Sequence, residues 1–291
     1  MKNKLYLIWI LLVGVCGGVL RGMSLLFGYE AESGLPVAGY LPATILMALT
    51  IVVVLSAALA GKLGFAKRSS WSFEQMYCGM PSGVRVICAF FGICTAILCG
   101  IGLLRVPEQC VEQATVYGDT ILMPGTLIAS ATAVMWVLGM VSGICMLLLA
   151  LRQGADKQAV KSTGLFVTIP IFWCCLDLIM VYHENSGNPV LSDYSYLLLM
   201  IIAIMTAFYS MGSFLYSAKG AAARWVASAG IAVYLAFVNT GGALIWMFRS
   251  NTDLSMTQWL GTGGALRIYI AVFVGLYLLL QLTGTMRKSK D

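Results

Sequence analysis

Apolar residues in this chain run almost unbroken for about 20 positions at a time and then give way to short polar connections, a length that covers a hydrocarbon core ~30 Å thick. Eight such runs occur, at about 5–27, 41–60, 84–104, 126–151, 165–182, 194–217, 226–248 and 267–283. Backbone immersed in lipid must satisfy its own hydrogen bonds, so each run predicts a helix. A barrel would instead be written in ~10-residue segments of alternating polarity. The expected fold is an all-α membrane protein with eight transmembrane helices. The longest connection, Lys62–Gly83, is shorter than the ~50 residues a separate soluble domain needs.

Composition agrees: of 291 residues, 60% are hydrophobic and 10% charged, against about 25% charged in soluble domains. Charge then orients the spans. With the N-terminus on one side, that side carries 14 basic residues: Lys2, Lys4, Lys62, Lys67, Arg68, Arg85, Arg152, Lys157, Lys161, Lys219, Arg224, Arg287, Lys288 and Lys290. The other side carries Arg105, Arg249 and Arg267. Lysine and arginine accumulate in cytoplasmic loops, so both termini are expected in the cytoplasm and the spans in a plasma (inner) membrane. The net charge of +6 follows from this bias and from the anionic inner leaflet, and it implies no nucleic acid partner. Lys2 and Lys4 ahead of an apolar run imitate a signal peptide, but the run exceeds the 7–15 residues of a cleavable core, and it is expected to stay as a helix. The segment at 62–83 mixes basic residues with Trp71, Phe73, Met76 and Tyr77, a pattern suited to lying on the inner leaflet.

A short phrase recurs. YEAESGLPV at 29–37 follows the first span, and YHENSGNPV at 182–190 follows the fifth. Both lie on the expected outer side and lead into another span. The pattern suggests a 4+4 duplication: residues 1–151 as one four-helix half, 152–164 as a cytoplasmic linker and 165–291 as the second half. Four spans return the chain to its starting side, so the halves would be parallel repeats. Ser-Gly favours a turn, and proline holds the residue before it extended, so the phrase reads first as a device that reverses a helix. In a functional reading, Glu30 and Glu32 converge with His183 and Glu184 on an acidic outer mouth.

Ionisable residues within spans are costly and are functional candidates. Arg21 in the first span and Asp177 in the fifth lie at matched depth near the outer ends, which suggests an ion pair between them. Asn239 in the seventh span, within Asn239-Thr240-Gly241-Gly242, is a third candidate: in a functional reading these residues loosen the helix and open backbone to a cavity, and in the plainer one they serve close helix packing. The TGGAL string recurs at 262–266. Pro170 is positioned to kink the fifth span below Asp177. Gly14, Gly18 and Gly22 in the first span, with Gly139 and Gly143 in the fourth, mark helices that pack closely.

Other chemistry is excluded or sparse. One histidine, His183, rules out a bis-histidine haem, and zincin, P-loop, kinase and G-x-S-x-G patterns are absent. No metal site and no cofactor is expected, and enzymatic activity is not. Seven of the nine cysteines fall inside spans, where they act as small hydrophobes. Cys78 is expected inside and Cys110 outside, leaving no outer disulfide.

The segment PIFWCCLDLIMVYHENSGNPVLSDYSYLLLMIIAIMTAFY, 170–209, resembles uncharacterised multi-pass membrane proteins of bacteria. That likeness implies a class of protein and no mechanism. Two functions stay open. One is a transporter of a small solute or ion, with its path near Arg21, Asp177 and Asn239. The other is a non-catalytic membrane subunit, anchor or sensor that binds a partner protein. The bilayer is a partner in either.

Overall fold

The computed structural model describes residues 2–30, 35–64, 80–106, 125–153, 163–185, 191–216, 221–249 and 263–287. Eight long helices follow in order: α1 (Lys2–Phe27), α2 (Leu41–Leu59), α3 (Ser82–Leu104), α4 (Gly125–Arg152), α5 (Gly164–Glu184), α6 (Leu191–Tyr216), α7 (Ala221–Arg249) and α8 (Gly263–Arg287). A π-helical turn, Ala60–Gly64, closes α2. All eight are long and apolar enough to cross a membrane, the build of a multi-pass, membrane-embedded protein. The helices extend beyond their apolar runs. In particular, α7 and α8 begin before 226 and 267, so Arg224 and Arg267 sit inside helices.

Local chemistry accounts for several boundaries. Pro42 occupies the first turn of α2, where its missing N–H costs nothing. Tyr29 and Pro36 form an antiparallel bridge, closed by Glu30 N–H to the Leu35 carbonyl at 2.9 Å and Val37 N–H to the Gly28 carbonyl at 2.8 Å. Gly39 adopts φ 72°, a left-handed backbone that glycine enters at no steric cost. The first phrase thus reverses the chain between α1 and α2. Its residues 31–34, including Glu32, lie outside the described residues, as do 186–190 of the second phrase, Cys78, Cys110, and Trp71, Phe73, Met76 and Tyr77 of the inner segment.

Two glycine-lined contacts set the closest packing. α1 and α7 run parallel: Gly14 meets Phe237, Gly18 meets the backbone of Gly241, and Gly22 meets Ile245. α3 and α4 run antiparallel, with Gly92 and Gly143 backbone to backbone and Trp136 lying on Gly102. Both glycine-marked spans therefore pack closely, as expected, with α7 and α3 as their respective partners. Small residues permit this approach, and in lipid such close van der Waals contact drives helix association.

α7 is the hub, packed against α1, α2, α6 and α8, while α8 also meets α3, and α4 and α6 flank α5. Helices from residues 1–151 and from 165–291 therefore interleave. One core cluster runs through the bundle, with Trp136, Trp225, Tyr234, Tyr277, Phe208 and Phe214 almost fully buried.

Of the two readings of Asn239–Gly242, the structure shows helix packing. α7 continues as an α-helix through Asn239–Gly242. Asn239 donates its amide to the Leu235 carbonyl of the same helix, and Gly241 is held against Gly18, so the glycines serve a contact and open no gap. Pro170 lies inside α5, within the continuous helix.

Candidate functional site: an arginine between two carboxylates

Most polar side chains in the bundle are satisfied within their own helix. Ser24 donates to the Leu20 carbonyl, Thr95 to Phe91 and Ser142 to Leu138, at 2.8, 2.9 and 2.7 Å. Such back-bonding is the ordinary fate of a hydroxyl in an apolar helix. The informative polar groups are those that reach another helix.

The strongest such contact centres on Arg267, in the second turn of α8. Its Nε donates to Asp177 Oδ1 at 2.7 Å. Nη1 and Nη2 donate to the two Glu184 carboxylate oxygens, at 2.5 and 2.9 Å, and Nη2 also lies 3.7 Å from Met135 Sδ on α4. Side-chain exposure is 5% for Arg267 and 9% for Asp177, but 29% for Glu184. The cluster therefore opens at its Glu184 end.

Helical spacing explains how one arginine reaches both acids. Asp177 and Glu184 are seven residues apart on α5, about two turns, and so share a face. Side chains lean toward the helix N-terminus, which brings the Glu184 carboxylate back toward Asp177. The planar guanidinium suits a fork onto one carboxylate while its Nε serves another. With both acids ionised, two negative charges face one positive, and the cluster carries a net −1.

Beneath it lies a small, partly open void of about 20 Å³ between α5, α6 and α8, lined by Trp173, Cys174, Asp177, Met200, Ile201, Ile204, Arg267, Ile270, Ala271 and Val274. This is room for one water-sized species, which needs ~10–15 Å³. Asp177 and Arg267 supply its charged wall; the rest is apolar apart from the Cys174 thiol and the Trp173 indole.

Arg21 and Asn239 join a second polar group at the same end of the bundle. The Arg21 guanidinium stands 5.1 Å from the Tyr196 ring centroid, within cation–π range. Asn239 donates to the Tyr196 carbonyl at 2.8 Å, tying α7 to α6. The Thr50 hydroxyl lies 3.0 Å from Tyr234 Oη and 3.4 Å from Tyr196 Oη. Gly242 makes room for the Arg21 stem, since a Cβ there would fall 2.5 Å from its Cγ. Asn239 acts here as a clamp between helices.

The expected Arg21–Asp177 pair is corrected: Asp177 is partnered by Arg267. Matched depth on the first and fifth spans was insufficient because α1 packs on α7. Of the outer-mouth residues, Glu184 joins Asp177 in one site, His183 is exposed near the end of α5, and Glu30 is exposed in the turn after α1. Arg267 went unrecognised in the sequence because the apolar run begins at that residue and so counts it as a flank. α5 also extends past its apolar run to Glu184, so two carboxylates do share one helix.

Among the described residues, no group of three or more His, Cys, Asp or Glu side chains is placed to hold a metal ion. No protein-family model, curated protein or solved structure matches the chain.

Proposed function

We propose that this protein is a transporter of small cations, held here with its path closed by Arg267. The observation that carries this reading is the water-sized void directly under a buried arginine that clasps two carboxylates. With both acids ionised, the net −1 of the cluster favours a cation over an anion, and a pocket this small suits an ion or proton better than a larger solute. Opening would need Arg267 to release at least one acid, and Glu184, the more exposed, costs less to release because water can take over its hydrogen bonds. On this reading the protein sits in the plasma membrane with both termini cytoplasmic, so that Glu184 faces outward.

Purified protein in proteoliposomes should carry H⁺, Na⁺ or K⁺ above the rate of empty liposomes under an imposed gradient. Asp177→Asn should lower that rate at least tenfold. No flux of any of the three ions, or an unchanged rate in Asp177→Asn, would refute the proposal.

The alternative, a partner-binding membrane subunit, is favoured by one feature. Only 17% of the α2 span is buried, against 61% of α8. A helix this lightly packed has room on its outer face for a partner helix. Native mass spectrometry of the protein extracted in mild detergent should then show a defined complex, dispersed by Ile51→Trp on that face, whereas a persistent monomer sinks this reading.

A further inference from the structure

At the opposite end of the bundle from Arg267, two neutral side chains mirror its role. Gln153, just past the end of α4, and Gln281 on α8 exchange amide hydrogen bonds in both directions. Gln153 Nε2 donates to Gln281 Oε1 at 2.7 Å, and Gln281 Nε2 donates to Gln153 Oε1 at 3.0 Å. Both residues are essentially inaccessible, at 1% and 0% exposure. Two large amides buried together in an apolar bundle are costly unless fully paired. Apolar side chains of similar volume would fill the space without that requirement.

Their position gives the pair a role. Gln281 follows Arg267 by fourteen residues, about 3.9 helical turns and ~21 Å along the axis. The two side chains therefore leave nearly the same face of α8. Ile270, Ala271 and Val274, which line the void, occupy that face between them. α4 supplies a neighbour at each end, Met135 beside Arg267 and Gln153 against Gln281. Yet α8 makes its close backbone packing with α7 and α3. Long polar side chains join it to α5 at the Arg267 end and to Gln153, just past α4, at the other.

We propose that Gln153 and Gln281 form the second closure of the cation path, opposite the Arg267 closure, with the void between the two. This rests on the transport reading above and extends it to alternating access: each end of one face of α8 is held by a separable polar clasp. The clasps differ in kind. Arg267 is held by charge-assisted bonds, which are the stronger class, and the glutamines by neutral ones.

Cys174 lines the void and is a native reporter of access. In protein with the other eight cysteines replaced by serine or alanine, a membrane-impermeant thiol reagent is applied from each face of sealed vesicles in turn. Gln281→Ala should raise the rate of Cys174 modification at least tenfold from the glutamine face and leave the opposite face unchanged. Arg267→Ala should do the reverse. If Gln281→Ala does not fold, Gln281→Asn, which keeps an amide but is one methylene shorter, should show a smaller rise with the same sidedness. An unchanged rate, or an equal rise from both faces, overturns the proposal, since general loosening of the bundle has no side. The two readings fail separately. Sided modification without cation flux removes transport and leaves the closure, and flux with unsided modification does the opposite.

Discussion

Replacing Arg267 with methionine keeps much of the stem's volume and removes the charge that holds two acids. The side chain makes one hydrogen bond to Asp177 and two to Glu184, but these do not weigh equally. Glu184 is about a third exposed, so water replaces much of what it loses, and its share is roughly 0–1 kcal/mol. Asp177 has no such recourse at 9% exposure. Breaking a buried pair on one side typically costs about 3–5 kcal/mol, because the other charge stays buried without compensation. That corresponds to about two to three and a half powers of ten in the folding equilibrium. Asp177→Asn should cost less, about 1.5–3 kcal/mol, the range for losing one bond to a charged group, because Arg267 keeps its fork on Glu184. The order of loss is then Arg267→Met, Asp177→Asn, Glu184→Gln. Reversible unfolding in mixed micelles at neutral pH, followed by circular dichroism, measures all three. The double variant Arg267→Met with Asp177→Leu should recover about 2–3 kcal/mol against the sum of its single changes. Strict additivity, or a loss below about 1 kcal/mol for Arg267→Met, would show that Arg267 does not hold Asp177 in the membrane.

Four further outcomes can be checked with the same assay. Gly143→Ala puts a Cβ 2.5 Å from the Ala96 backbone nitrogen, where nothing flexible can yield, and should cost about 1–3 kcal/mol as overpacking does. Gly100→Ala meets only Met140 Sδ at 4.0 Å and should be tolerated. Asn239→Leu removes the amide bonds to the Tyr196 and Leu235 carbonyls and should cost about 0.6–1.7 kcal/mol, the usual worth of polar contacts between membrane helices. Tyr234→Phe and Thr50→Val each break the 3.0 Å hydroxyl contact, so their combination should cost no more than the larger single change plus about 0.5 kcal/mol, since directly interacting pairs are not additive.

Eight helices are legible because twenty apolar residues in a row have one stable form in lipid. The glycine spacing of α1 and α4 announces close packing, though not the partner, because a small-residue stripe states how near a helix can come and not which one. Asp177 was visible inside the fifth run and Glu184 just past its end, and only the extension of α5 to Glu184 turns their seven-residue spacing into a shared face. Arg267 was not recoverable in the same way, since its partner lies 90 positions away and hydropathy places it at a boundary. Gln281 did leave a signal: an amide inside an apolar run. A neutral side chain raises no alarm in a charge census, and its pairing with Gln153, 128 positions away, exists only in three dimensions.

The α1–α7 contact also constrains how the molecule is made. Tyr6 on α1 bonds the carbonyl of Val226, 220 residues later in the chain. At about 5–20 residues per second, the ribosome delivers α7 roughly 10–45 s after α1, with five helices inserted in between. Throughout that interval the glycine face of α1 has no permanent neighbour. A release from the ribosome before α7 emerges therefore strands α1 against lipid or against the wrong helix, and nascent chains truncated ahead of Ala221 should be the ones that membrane quality control removes fastest.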